Sequence, residues 1–262
     1  MKPVFLVFVT FFFALLLRGQ NNNNALTESL IPIEFKINQV NRDSSNPIRI
    51  INGSSLKRLP AVIRDLSTAF NGSIFRQGPL LDKKGFAVYI YDGTFKSIKE
   101  SAAVEYSRGD TIYHMKLNSF NQYASDKALA VTLIHEIMHC ILFDINKRAR
   151  KNDERALSCI KNFGLNRNDT SGFFYDDFFF LMNDGNSGQH ELMYRLFYPH
   201  MVSLLERFAV IHKKDFFNHE VAEFLMWSGL QFTSSYKKLG EEERREIESA
   251  ILTAKGIDIE QE

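Results

Sequence analysis

The chain has 262 residues, enough for one domain of ordinary size or two small ones. Its 45% hydrophobic and 24% charged residues exclude a wholly disordered, collagen-like or multispanning polypeptide, and 24 Phe residues supply ample core volume. Lys plus Arg number 32 and Asp plus Glu 31, so a formal charge of +1 offers neither a basic surplus for nucleic acid nor an acidic tail for a charged partner.

Lys2 precedes an apolar run from Val4 to Leu17, broken only by Thr10. The run is short for a bilayer-spanning helix and reads as the core of a secretory signal peptide over residues 1–19. An uncleaved anchor is the alternative, and only then would the chain be held at a membrane. Losing Lys2 and Arg18 with that segment takes the net charge from +1 to −1. Residues 20–30, with Asn21 to Asn24 in a row, read as an Asn-rich spacer, and 31–262 as one domain. Export makes a disulfide between Cys140 and Cys159 possible; two buried thiols are the other reading. Sequons at Asn52, Asn71 and Asn168 are about as frequent as chance allows.

Ile31, Ile33, Phe35 and Ile37 alternate with polar or turn residues, the pattern of a half-buried strand. Leu56, Leu59, Ile63, Leu66 and Phe70 predict a helix over about 56–70, stopped at Asn71-Gly72. Strands are expected at 86–91 and 111–117. Ser125 reads as the N-cap of a strong helix reaching about Phe143, with Asp126 in its first turn. Residues 145–189 are mixed, and their aromatic cluster at 173–180 suits a core or a cleft wall. Asp184 to Gly188 reads as a loop by turn chemistry. Helices are expected at 189–212, 218–228 and 241–254. The order, strands early and helices late, predicts an α+β fold: a small early sheet packed on the 126–143 helix, with a mostly helical C-terminal half.

That central helix contains His135-Glu136-Ile137-Met138-His139, an HExxH motif. Positions i and i+4 lie one above the other on a helix face, so two imidazoles can share one zinc ion while the intervening Glu addresses its water. At this chain's His and Glu frequencies the motif arises by chance in roughly one such sequence in a hundred. From Ala128 to Phe143 every other residue except Thr132 is apolar, the signature of a helix buried all round. Burying two His and a Glu there without partners would be costly, and a metal supplies the partner.

The segment resembles the active-site helix of the zincin metallopeptidases. The resemblance implies His135 and His139 as ligands of one Zn2+ and Glu136 as the catalytic acid/base. The metzincin extension calls for Gly at 142 and His at 145; the chain has Leu142 and Ile145, so that branch is excluded. His190-Glu191-Leu192-Met193, with Trp227-Ser228-Gly229-Leu230, is similar to secreted bacterial zincin-like proteins in which a lone His opens the second helix. That likeness covers about 111–233 and favours His190 as third ligand, with Glu191 as the gluzincin-style alternative.

The resemblance thus implies a secreted or periplasmic zinc metallopeptidase acting on a peptide or protein, with no nucleic-acid partner. A non-catalytic zincin-like protein that binds metal or a partner is the alternative. A DNA-associated protease of the SprT type shares HExxH, but the signal peptide and near-neutral charge oppose it. Among the other histidines, His114 is expected on a strand ahead of the active-site helix; zincins align substrate on an edge strand there, but with no motif around it His114 reads first as an ordinary strand residue. His200, His212 and His219 read as surface or interhelical polar residues. Tyr194, one turn after His190, either faces the metal or packs, and Trp227 to Leu230 read as a packing element.

Overall fold

A computed structural model describes residues 48–71, 86–96, 100–105, 112–165, 175–213 and 218–256. The expected signal peptide, the spacer, the strand at 31–37, the sequon at Asn168, and Phe173 and Phe174 lie outside the described residues. Among the described residues four strands form one sheet: β1 (Ile48–Asn52), β2 (Phe86–Gly93), β3 (Ala102–Glu105) and β4 (Ile112–Asn118), in the order β1-β2-β4-β3. β1, β2 and β4 run parallel, and β3 is an antiparallel edge on β4. Helix α1 (Leu59–Asn71) makes the crossover that a parallel β1–β2 pair requires. Along β4, Tyr113, Met115 and Leu117 are buried while Ile112 and His114 are exposed, so one face of the sheet meets the helices. In that order β4, which carries His114, is interior, and β1 and β3 are the edges among the described residues.

The central helix, α2, spans Asp126–Ala149. The Ser125 side chain accepts from the Ala128 N–H, capping it as the sequence suggests. It continues past Phe143 because Asp144 and Arg148 pair one turn apart at 2.8 Å, while Ile145 and Ala149 stay buried. α2 is apolar and long enough to cross a membrane, yet 94% of that stretch is buried inside the protein: it is the core helix.

The region expected to be mixed contains two helices, α3 (Glu154–Leu165) and α4 (Tyr175–Asn183). Of the aromatic cluster, Phe178 is fully buried and Phe180 exposed. The expected loop at 184–188 is a correction: α5 (Gly185–His212) begins after Asp184 alone. Gly185, at φ +69°, makes the corner. A Cβ on Gly188 would stand 2.0 Å from the Leu181 carbonyl oxygen, so this glycine lets α4 and α5 approach closely. Then come α6 (His219–Met226), a turn at 227–232, α7 (Ser234–Lys237) and α8 (Glu241–Lys255). α6 ends earlier than expected because Gly229, at φ +84°, turns the chain. α2 packs against α5, β3, α3, α6 and α8. Cys140 and Cys159 are free buried thiols.

Candidate metal centre

α2 carries His135 and His139 on one face, and α5 lies across that face. Because α5 starts at Gly185, His190 stands in its second turn rather than at its opening. The three imidazoles converge through their Nε2 atoms: His135 to His190 at 3.2 Å, His139 to His135 at 3.3 Å, and His139 to His190 at 3.3 Å. Among the described residues these three form the group of donor atoms close enough to hold one ion.

The residues fit a metal on two counts. Four-coordinate zinc with Zn–N bonds of about 2.0–2.1 Å sets its donors about 3.3–3.4 Å apart, which is the triangle observed. The donors are also neutral. Burial drives the His135 ring well below its ordinary pKa, reinforced by His139, His190 and Lys255. Burial and His190 do the same to His139, and burial takes His190 to about 4. Neutral imidazoles offer lone pairs, which metal binding requires. Left to themselves, three bare ring nitrogens this close would repel.

Behind the His139 ring, Nδ1 lies 3.1 Å from Gln189 Oε1, an acceptor: a proton on Nδ1 would be donated there and would leave Nε2 with a lone pair toward the centre. His135 Nδ1 has no hydrogen-bond partner among the described residues; the Ser228 backbone favours a proton on the ring without completing a bond. Gly229 lies against this ring: a Cβ there would stand 2.5 Å from Cε1 and 2.9 Å from Nε2.

Glu136 is 2% exposed and its Oε2 has no hydrogen-bond partner among the described residues. Burial pushes its carboxyl well above the ordinary range, so it holds a proton readily. Burial also takes Lys255, at the end of α8, down to about 8.

Glu191 points elsewhere. Its carboxylate accepts from the Ser234 N–H at 3.0 Å and Oγ–H at 2.9 Å, and pairs with Arg195 at 2.8 Å. Tyr194 stacks on Trp227, with ring centroids 5.0 Å apart, and beside Tyr198. His114 is exposed beside Tyr89, and exposed His219 sits between Glu206 and Glu223. His200 is half-buried. His212 is buried between α1 and α2, its ring nitrogens 2.7 Å from Asp65 and 2.9 Å from Asp126. The sequence reading missed Gln189 and the role of Gly229; each had a visible signal in its place beside a singled-out residue, Gln189 before His190 and Gly229 within the Trp227 segment.

Comparison with known proteins finds no family model, no curated protein and no solved structure that matches this chain.

Proposed function

We propose that the chain is an exported zinc metallopeptidase of zincin type, with His135, His139 and His190 holding one Zn2+ and Glu136 as general acid/base. The observation that carries this reading is the triangle of Nε2 atoms, two of them on a helix that also buries the Glu136 carboxyl with an orphaned oxygen. A zinc ion there would supply Lewis acidity to a water or a scissile carbonyl oxygen. Glu136 takes a proton from the attacking water and delivers it to the leaving amine, a relay that suits a carboxyl whose proton affinity burial has raised. β3 pairs only with β4 among the described residues, and its other edge suits an extended peptide added by backbone hydrogen bonds. Export rests on the Lys2–Gly19 segment.

The first experiment is elemental analysis of the purified 20–262 chain with His190→Ala and Glu191→Ala. About one zinc per wild-type chain, lost in His190→Ala and kept in Glu191→Ala, supports the ligand set. No zinc in the wild type after reconstitution sinks it. A second reading, a non-catalytic metal-binding protein, is favoured by the closeness of the site: His139 is 0% and Glu136 2% exposed. Peptide hydrolysis by the zinc-loaded wild type, absent in Glu136→Gln, separates the two.

A further inference from the structure

We propose that Gln189 and Gly229 are positioning residues that preset the imidazoles of this centre, Gln189 by fixing the His139 tautomer and Gly229 by fixing the place of the His135 ring. The inference rests on the metal-site reading above.

Gln189 is 2% exposed and adjoins His190, so one turn of α5 presents both the third donor and the acceptor that prepares the second. A neutral imidazole carries one N–H. With that hydrogen on Nδ1, donated to Gln189 Oε1, the His139 Nε2 lone pair faces the other two rings. Without the acceptor, a buried Nδ1–H would be unpaired, and the other tautomer would aim Nε2–H at neighbours 3.3 Å away. The donor site would then be closed by its own proton.

His135 is held by shape instead. At φ +84° Gly229 occupies backbone space that glycine adopts without strain. Any larger residue would press into the ring at Cε1 and Nε2, the nitrogen that belongs to the triangle. The turn bearing Gly229 is anchored at both ends on the helix that carries His190. Trp227 stacks on Tyr194, and Ser234 is gripped by Glu191. One turn thereby locks a ring of α2 to the position of α5.

The test reads histidine tautomers of the metal-free chain by long-range nitrogen–proton NMR, then Zn2+ affinity by chelator competition. Wild type is expected to show Nδ1–H at His139, identified by its loss in His139→Ala. Gln189→Leu should shift that tautomer and weaken Zn2+ by about 10- to 100-fold, while Gln189→Glu, which keeps an acceptor, retains both. Gly229→Ala should weaken Zn2+ by a similar factor of about 10–100 and change the visible spectrum of the Co2+-loaded chain. Gly53→Ala, whose Cβ meets the Tyr89 hydroxyl at the same 2.5 Å at the end of β1, should leave affinity and spectrum unchanged. Wild-type tautomer and affinity in Gln189→Leu overturn the Gln189 role. Equal losses in Gly53→Ala and Gly229→Ala overturn that of Gly229. A wild type with the expected tautomer and no Zn2+ binding supports the Gln189 assignment while sinking the metal reading.

Discussion

Glu136→Gln should stabilise the metal-free protein while abolishing hydrolysis. The wild-type carboxyl is buried, its Oε2 is unpaired, and burial raises its pKa. Leaving such a group unsatisfied costs about 1–3 kcal/mol. Gln keeps the shape and cannot ionise, so the part of that cost that belongs to the charged carboxylate disappears, while the polar amide remains buried. At roughly 2–4 °C per kcal/mol for a domain of this size, the melting temperature should rise by about 2–10 °C. The sign with pH follows from the folded carboxyl keeping its proton to higher pH than the unfolded one. Below the unfolded value of about 4.3 both states are protonated and the gap is smallest. As pH climbs through the folded pKa the wild type loses stability and the gap opens. Thermal melts of both metal-free chains from about pH 4 to about pH 8 measure this directly. Zinc content should be unchanged, and peptide hydrolysis should fall by about 10²–10⁴-fold. A variant less stable than wild type, or a gap independent of pH, would refute the reasoning, because it would mean the carboxylate is favourably held. Loss of zinc would make Glu136 a ligand.

Three further outcomes are expected. His190 lies at about 4, and His135 and His139 well below their ordinary range, so protons compete weakly for the donors. Zinc affinity by chelator competition should change little between about pH 7.5 and about pH 5.5, whereas an exposed three-His site would weaken steeply below about 6.5; a steep fall from there would refute it. By the same shifts the unfolded chain gains protons on three histidines, against the one that folded Glu136 retains, so the metal-free protein should on balance lose stability as pH falls from about 6.5 toward about 4. His212→Ala removes the ring between Asp65 and Asp126 and leaves two largely buried carboxylates. Burial opposes charge on Asp65, yet hydrogen bonds from Arg64 and His212 outweigh it and hold its pKa down. With Arg64 and Arg58 still facing the two carboxylates, the substitution should cost about 1–3 kcal/mol, a melting temperature lower by roughly 2–12 °C, with zinc content unchanged. An unaltered melt would show that the carboxylates find other partners.

Local signals were legible in the sequence, and contacts between elements were not. Ser125 announces α2 because an N-cap and its target N–H lie three residues apart. HExxH is legible for the same reason: its two histidines share one helix face. β3 is nearly silent, since Ala102-Ala103-Val104-Glu105 has little intrinsic strand preference and takes its form from pairing with β4 and packing on α2. Gly185 and Gly188 look alike in sequence. One is needed for a left-handed corner and the other for close helix contact, and neither makes the loop that turn chemistry suggests. His212 finds Asp65 across 147 positions, a separation at which no spacing rule operates.

The third donor joins these two classes. Residue type nominated both His190 and Glu191, and neighbours on one helix differ by about 100° in direction. Only the lie of α5 across α2, 51 and 55 positions from the two motif histidines, decides which of them turns inward. His190 completes the triangle. Glu191, rotated away, grips Ser234 and so braces the turn against which His135 rests. The two candidates for one role thus have separate tasks at the same centre, and exchanging their identities would remove both donor and brace.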